Sequence, residues 1–502
     1  MLAVALAAGL GLTAGLDHIL AAPTLHAAHV AALVTTTDGR TLYAHHPDDT
    51  IQPASTMKLL VGSVALDRLG AGYRFATVLA HGDGDTLVLH GGGDPLLHRA
   101  DLDAAADAVQ RAGIVSVHVV LDTSHVTPAE RRAPGWSVDD VLQDYAPVVN
   151  GLPFEENVLA LTLVPGAAIG QPPILQLPAP FVPVDAATEA CRPEPTLLAF
   201  TIAARTVAAG RADTSDVHAG PCGDVVVTGE VPLGAPAHVD AAVDQPESLA
   251  LRYFADALQR RGVTLLPSTS PPPSPLLPST ALQRRGVTVL PSTSPPPSPL
   301  LPGPIPDVVD APFTPTPAGP VVVWHHDGEP LAALLADMWL PSDNLIAEEL
   351  LREVDVAANA RAGTLEGGHA LEHAWLRSIG VDPATVTLAD GSGLSQYDRF
   401  TPRALVAVLT HDWRGPNRQI VLNALPMAGV RGDLRDAMRG TPAEGHVIAK
   451  TGSMSHVRGL AGYVVTRTQG TLVFALSIDD WIGTDADLAA VRAAFCSHLA
   501  QL

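Results

Sequence analysis

The chain has 502 residues and a formal net charge of −22 at pH 7. That length accommodates two or three domains, and the acidic balance excludes a nucleic-acid surface, because phosphate binding needs clustered positive charge. With 47% of residues hydrophobic, disorder throughout is excluded as well.

The chain opens on an apolar Ala/Leu/Gly run from Leu2 to Leu16, with no Lys or Arg before Arg40. The run is too short to span a bilayer securely and suits the hydrophobic part of a signal peptide, so an exported protein of the periplasm or cell envelope is expected. The alternative is an ordinary buried first helix. From His29 to Tyr43 two strand-like runs flank Thr-Thr-Thr-Asp-Gly-Arg, which predicts a hairpin. Pro53-Ala54-Ser55 then opens a run with helical apolar spacing from Met57 to Leu69, placing Ser55 at a helix N-terminus.

Residues 80 to 305 carry short β-type runs separated by Gly- and Pro-rich turns, as expected of inserted β-containing domains. Of three cysteines, Cys191 and Cys222 could pair in an oxidising compartment, leaving Cys496 over; buried free thiols are the alternative. Residues 257–280 and 281–304 form a near-identical tandem repeat whose Pro/Ser-rich half reads as a solvated linker. Beyond residue 320 the pattern is mixed α/β. Helical spacing runs from Leu331 to Glu353 and from Gly368 to Ile379. Strand-like runs at Val447-Ile448-Ala449 and Leu472 to Ile478 flank a Gly-rich turn, and a last helix covers Asp485 to Leu499.

The chemistry is signalled by lysine scarcity. Of 30 basic residues only Lys58 and Lys450 are lysines. Arginine is effectively always charged, whereas a buried ammonium can give up its proton. Lys58 follows Ser55 by three residues, so on a helix the two side chains share a face and the amine can take the hydroxyl proton. Lys450 opens Lys450-Thr451-Gly452-Ser453 after a strand-like run. Glycine there permits close approach of a substrate backbone, and the hydroxyls of Thr451 and Ser453 could bind a carboxylate beside the ammonium. Between the two stands Ser342-Asp343-Asn344, whose bland reading is a helix N-cap. Ser-x-x-Lys, Ser-Asp-Asn and Lys-Thr-Gly in that order are far more specific than any one of them.

With these motifs the chain resembles the D-alanyl-D-alanine carboxypeptidase/endopeptidase family of class C low-molecular-mass penicillin-binding proteins. The resemblance covers most of residues 17–485 outside the repeat. It extends to Pro53-Ala54-Ser55, Gly91-Gly92-Gly93-Asp94-Pro95, Pro134-Gly135-Trp136, Asp390-Gly391-Ser392-Gly393-Leu394-Ser395, Leu425-Pro426-Met427-Ala428-Gly429 and Leu460-Ala461-Gly462-Tyr463. The long interval from Ser55 to Ser342 fits that family, in which extra domains are inserted between the first two motifs. The chain departs from the family pattern at Leu340-Pro341, where a basic residue is common, and at Gly432-Asp433, where Gly-Thr is usual.

The resemblance implies an α/β (α+β) serine β-lactamase/transpeptidase-like domain, an antiparallel sheet flanked by helices. That domain would combine residues 17–80 and 305–502, with domain II at 81–154 and 233–256, domain III at 155–232, and a duplicated linker at 257–304. It implies hydrolysis of peptidoglycan stem peptides ending in D-Ala-D-Ala, with β-lactams as inhibitors and no cofactor. Ser55 would be acylated, Lys58 would act as base, and Ser342 would relay a proton. Asn344 would hold the substrate amide and Lys450 would supply charge. Thr451, Gly452 and Ser453 would receive the substrate, and the N–H groups of Ser55 and Ser453 would form the oxyanion hole. Trp136 would either face the peptide or fill a core. Two rival readings remain. His369-Ala370-Leu371-Glu372-His373 matches an inverted zinc-peptidase pattern with Glu444 as a third ligand, and the fold could serve as a non-catalytic cell-wall binding protein.

Overall fold

A computed structural model describes residues 2–181, 184–185, 199–220, 224–266 and 321–502. Helix α1 (Leu2–Leu20) leads to β1 (His29–Thr36) and β2 (Thr41–His45), the expected hairpin, and a 3-10 turn at Ala54–Met57 runs into α2 (Lys58–Leu69). Next come β3 (Ala76–His81), β4 (Thr86–His90), α3 (Arg99–Arg111) and β5 (Ser116–Asp122), and further on α4 (Pro246–Arg260), β6 (Thr264–Leu265) and β7 (Val322–Asp327). Five helices follow: α5 (Leu331–Trp339), α6 (Asn344–Asn359), α7 (Leu365–Ser378), α8 (Pro402–Arg414) and α9 (Arg418–Ala424). The chain closes with β8 (Val447–Met454), β9 (Val457–Val465), β10 (Thr471–Asp479) and α10 (Asp485–Ala500).

Both chain ends build one antiparallel five-stranded sheet, ordered β8-β9-β10-β1-β2. Side chains alternate across a strand, and here both faces are covered. Leu33, Ala461, Tyr463, Val473 and Ala475 join a core shared with α2, α5, α6 and α8. Val30, Val34, Leu472, Phe474 and Leu476 join a second core with α1 and α10. The Gly-rich segment expected to be a turn is instead the strand β9. Its glycines are small by necessity, since a Cβ at Gly462 would lie 2.2 Å from the Ile448 carbonyl oxygen.

The boundary at residues 16 and 17 divides one continuous helix. Leu12, Leu16 and Leu20 of α1 are buried in the core that α10 completes, as an ordinary first helix would be. Among the described residues no helix is long and apolar enough to cross a membrane.

A second sheet, ordered β6-β5-β4-β3-β7, forms the inserted body with α3 and α4 against it. Residues 158–164, 174–176 and 237–242 make a three-stranded sheet beyond it, and smaller sheets lie between residues 184 and 232. Two sequence boundaries are corrected here. Strands β3 and β7, assigned by position to the peptidase domain, pair with each other and with the inserted sheet, because the chain enters and leaves the insert along these neighbouring strands. The first ten residues of the repeat are not linker. Ala257 and Leu258 close the amphipathic α4 with buried side chains, and Thr264–Leu265 pair with β5. The rest of the repeat, Cys191 and Cys222 lie outside the described residues. Cys496 is a free, buried thiol whose pKa burial pushes up to about 12.

Candidate active site

Ser55 sits in the turn ahead of α2. Pro53 begins the turn, Ala54 takes a left-handed φ of 45°, and the Thr56 hydroxyl donates to the Pro53 carbonyl at 2.6 Å. A non-glycine residue with positive φ is uncommon and clusters at functional sites. Helix α2 is buried from Lys58 to Leu66, as its nearly continuous apolar sequence requires. The Trp339 indole donates to the Lys58 carbonyl at 3.0 Å, and Gly62 makes room for that ring, since a Cβ there would lie 2.3 Å from it.

The Lys58 ammonium is fully buried and makes three contacts: Ser55 Oγ at 3.0 Å, Asn344 Oδ1 at 2.5 Å and the Ser392 carbonyl at 2.7 Å. Burial, and next the charge of Lys450, push its pKa down to about 7, against the pull of Asp390, Asp343 and Glu348. Desolvation disfavours the charged amine. The Asn344 and Ser392 oxygens aim Nζ at the Ser55 hydroxyl, so a neutral Lys58 is positioned as a base.

The helical run expected from Leu331 to Glu353 breaks into α5 and α6, and the break carries the second motif. Ser342 has φ 72°, lines the cleft, and makes no hydrogen bond to a described residue. The cap of α6 is Asp343, not Ser342: its carboxylate accepts from the Ile346 N–H at 2.7 Å. Asn344 is committed on both sides, accepting from Lys58 and donating to the Tyr145 carbonyl at 2.5 Å.

The loop Asp390–Ser395 holds Lys58 from behind. Glu348, one turn after Asn344 on α6, accepts the N–H groups of Gly391 and Ser392 at 2.9 Å each and pairs with the buried Arg352 at 2.9 Å. Asp390 accepts from Gly393 and Ser395 at 2.6 Å and from the Trp136 indole at 2.8 Å. Trp136 thus braces this loop, packed against the core. Sequence reasoning missed Glu348; its position four residues beyond Asn344, on the same helix face, was the available signal.

Lys450 lies on β8, the edge strand, opposite Ala461. A Cβ at Gly452 would come within 2.6 Å of the Pro53 carbonyl oxygen, so glycine is what lets this strand approach the Ser55 turn. Lys450 is fully buried; burial lowers its pKa while the Asp433 carboxylate, 3.2 Å away, opposes the shift. Thr451 donates its hydroxyl to the same carboxylate. A cleft of about 930 Å³ unites these parts, lined by Ser55, Ser342, Asn344, Asp433, Thr451 and Ser453. Lys58 and Lys450 lie beneath it, so all eight residues singled out in the three motifs gather at one place.

His369 and His373 belong to α7, away from that cleft. His369 Nδ1 lies 2.8 Å from its own helix neighbour Glu372, while Glu444, on another element, accepts from the Gly440 N–H at 2.7 Å. Among the described residues no three His, Cys, Asp or Glu side chains converge to hold a metal ion.

Residues 12–272 and 305–502 match the D-Ala-D-Ala carboxypeptidase 3 (S13) family. The chain belongs to that family. A D-alanyl-D-alanine carboxypeptidase of Actinomadura sp. (strain R39) is 31% identical over 485 residues, covering 92% of this chain and 79% of the relative. The D-alanyl-D-alanine carboxypeptidase DacB of Haemophilus influenzae is 31% identical over 170 residues, 34% of this chain and 36% of its own. The crystal structure of penicillin binding protein 4 from Haemophilus influenzae superposes with a TM-score of 0.76 at 20% identity, over 97% of this chain and 99% of that one. The likeness bears out the expected penicillin-binding fold. As a family member the chain is a serine-type D-Ala-D-Ala carboxypeptidase, a hydrolase of peptidoglycan chemistry.

Proposed function

We propose that this carboxypeptidase cleaves stem peptides ending in D-Ala-D-Ala through an acyl-enzyme on Ser55. The observation that carries the reading is the buried Lys58 amine held 3.0 Å from the Ser55 hydroxyl. Ser55 Oγ attacks the carbonyl between the two D-alanines and passes its proton to neutral Lys58. The developing oxyanion takes hydrogen bonds from the Ser55 and Ser453 N–H groups, where the edge strand meets the Ser55 turn. The C–N bond breaks, the leaving amine takes a proton relayed through Ser342, and D-alanine departs. Water then attacks the ester, returning the hydroxyl to Ser55 and leaving a new carboxylate on the peptide.

Lys450 contributes charge at the cleft, and Thr451, Gly452 and Ser453 hold the leaving residue. Asn344 serves first as an acceptor that fixes Lys58; contact with the substrate amide would require its Tyr145 bond to exchange. β-Lactams would acylate Ser55 in the same way, in keeping with a solved structure of penicillin binding protein 4 from Haemophilus influenzae complexed with a β-lactam. Because stem peptides lie outside the cytoplasm, the site of action is the periplasm or cell envelope.

The test is release of D-alanine from a peptide ending in D-Ala-D-Ala. The parent protein is expected to release it, and Ser55→Ala to lose the activity while keeping its melting temperature. Undiminished release by Ser55→Ala would refute the assignment.

A further inference from the structure

The family-like cradle for a substrate carboxylate is already occupied by the chain itself. Asp433 Oδ2 lies 3.2 Å from Lys450 Nζ and accepts the Thr451 hydroxyl. This is the very pair of groups that the proposed mechanism offers to the leaving residue. Asp433 also lines the cleft with about a quarter of its side chain exposed, so the contact stands in the substrate's path rather than behind it.

The main chain that carries this carboxylate is anchored, and Lys450 and Thr451 are its side-chain partners. Asp433 sits in a single 3-10 turn, Gly432–Leu434, and its N–H donates to the Leu340 carbonyl at 2.9 Å. Gly432 takes φ 65°, and a Cβ there would press within 3.0 Å of both Pro426 and Leu340. The turn is wedged against Leu340, just ahead of the second motif, and against Pro426, whose carbonyl accepts the Ala449 N–H beside the third.

An incoming carboxylate must therefore share one ammonium and one hydroxyl with a like charge already bonded to them, or displace it. Both routes weaken binding, which is how a repulsive element sets specificity. A primary carboxamide meets the opposite situation. Its N–H group donates to Asp433 and its carbonyl accepts from Lys450.

We infer that Asp433 is a specificity-determining residue, which loosens the grip on a free leaving-group carboxylate and so widens acceptance to leaving residues whose carboxyl is amidated. The inference rests on the proposed acylation of Ser55 and on the Lys450–Thr451 cradle as the seat of the leaving group's carboxyl. It assigns Asp433 a task in discrimination and none in bond making.

The experiment uses the full chain and two acylating probes, a β-lactam bearing its ring carboxylate and the same β-lactam with that group converted to the primary carboxamide. Second-order rates of adduct formation on Ser55 are measured by intact mass and peptide mapping for the parent, Asp433→Thr and Asp433→Asn. The ratio of carboxylate to carboxamide rates is expected to rise by about tenfold or more in both variants, the equivalent of about 1.4 kcal/mol. Adducts at an unchanged ratio in both variants would overturn the inference alone. They would point to Arg492, which lines the same cleft with no side-chain hydrogen bond or ion pair to a described residue, as the seat of the carboxylate. No adduct on Ser55 with either probe, in any of the proteins, would overturn the acyl-enzyme reading and the inference with it.

Discussion

The Lys58 amine lies 3.0 Å from the Ser55 hydroxyl, one helical turn further along the chain, and the Asn344 and Ser392 oxygens hold the amine there. This pairing separates the roles of the chain's two lysines. At Lys58 the proposed task is to accept a proton, which arginine cannot do near neutral pH. Lys58→Arg is expected to lower the second-order acylation rate by about 10² to 10⁴. At Lys450 the proposed task is to present positive charge, so Lys450→Arg is expected to keep a measurable part of the rate. Acylation rates of both variants with one β-lactam check this. A Lys58→Arg variant as fast as the parent would remove Lys58 from the role of base.

The pH profile follows from the same burial. The folded protein holds the Lys58 pKa at about 7, first through desolvation and then through the charge of Lys450. Only the neutral amine takes the Ser55 proton, so the rate rises with pH, about tenfold per unit well below 7, and levels above it. In Lys450→Met the second cause is gone, and the midpoint is expected to move to higher pH. A parent rate flat from pH 5 to 8 would contradict the account.

Glu348 is expected to couple stability to rate. Glu348→Gln leaves the buried Arg352 without its counter-ion, a loss worth about 3–5 kcal/mol when one partner of such a pair is removed. It also loosens the N–H contacts that hold the Ser392 carbonyl on Lys58. Thermal unfolding should show a lower melting temperature. The acylation rate should fall by roughly tenfold or more at a temperature where the variant is still folded. An unchanged rate would show that this loop needs no brace.

Much of the site was legible in the sequence because its chemistry depends on spacing along single elements. Ser55 and Lys58 share a turn, and Lys450 to Ser453 form one edge strand, so local patterns found them. Contacts across the fold were not legible in this way. Glu348 reaches a loop more than forty residues away, and Asn344 meets the carbonyl of Tyr145, far earlier in the chain. The β9 glycines looked like a turn because local propensity favours one; close packing against β8 overrides it. The domain boundary at β3 and β7 failed for a similar reason, since strand pairing across the insert is a long-range fact.

The repeat offers a test of redundancy. The first copy supplies the end of α4 and strand β6, with Leu258 fully buried. Leu258→Ala is expected to cost about 2–5 kcal/mol. Deleting 281–304 shortens a Pro/Ser-rich connection, a change worth about 0.6 kcal/mol per halving or doubling of length. The deletion is therefore expected to leave the melting temperature and acylation rate nearly unchanged. A large loss of soluble folded protein would show that the second copy is needed.

Whether Ser55 is the acylated nucleophile is decided by incubating the protein with a β-lactam and mapping the adduct by mass. The expected result is a gain of one drug equivalent on the peptide carrying Ser55, absent in Ser55→Ala and unaffected by a metal chelator. Labelling of any other residue, or an adduct that survives Ser55→Ala, would contradict it.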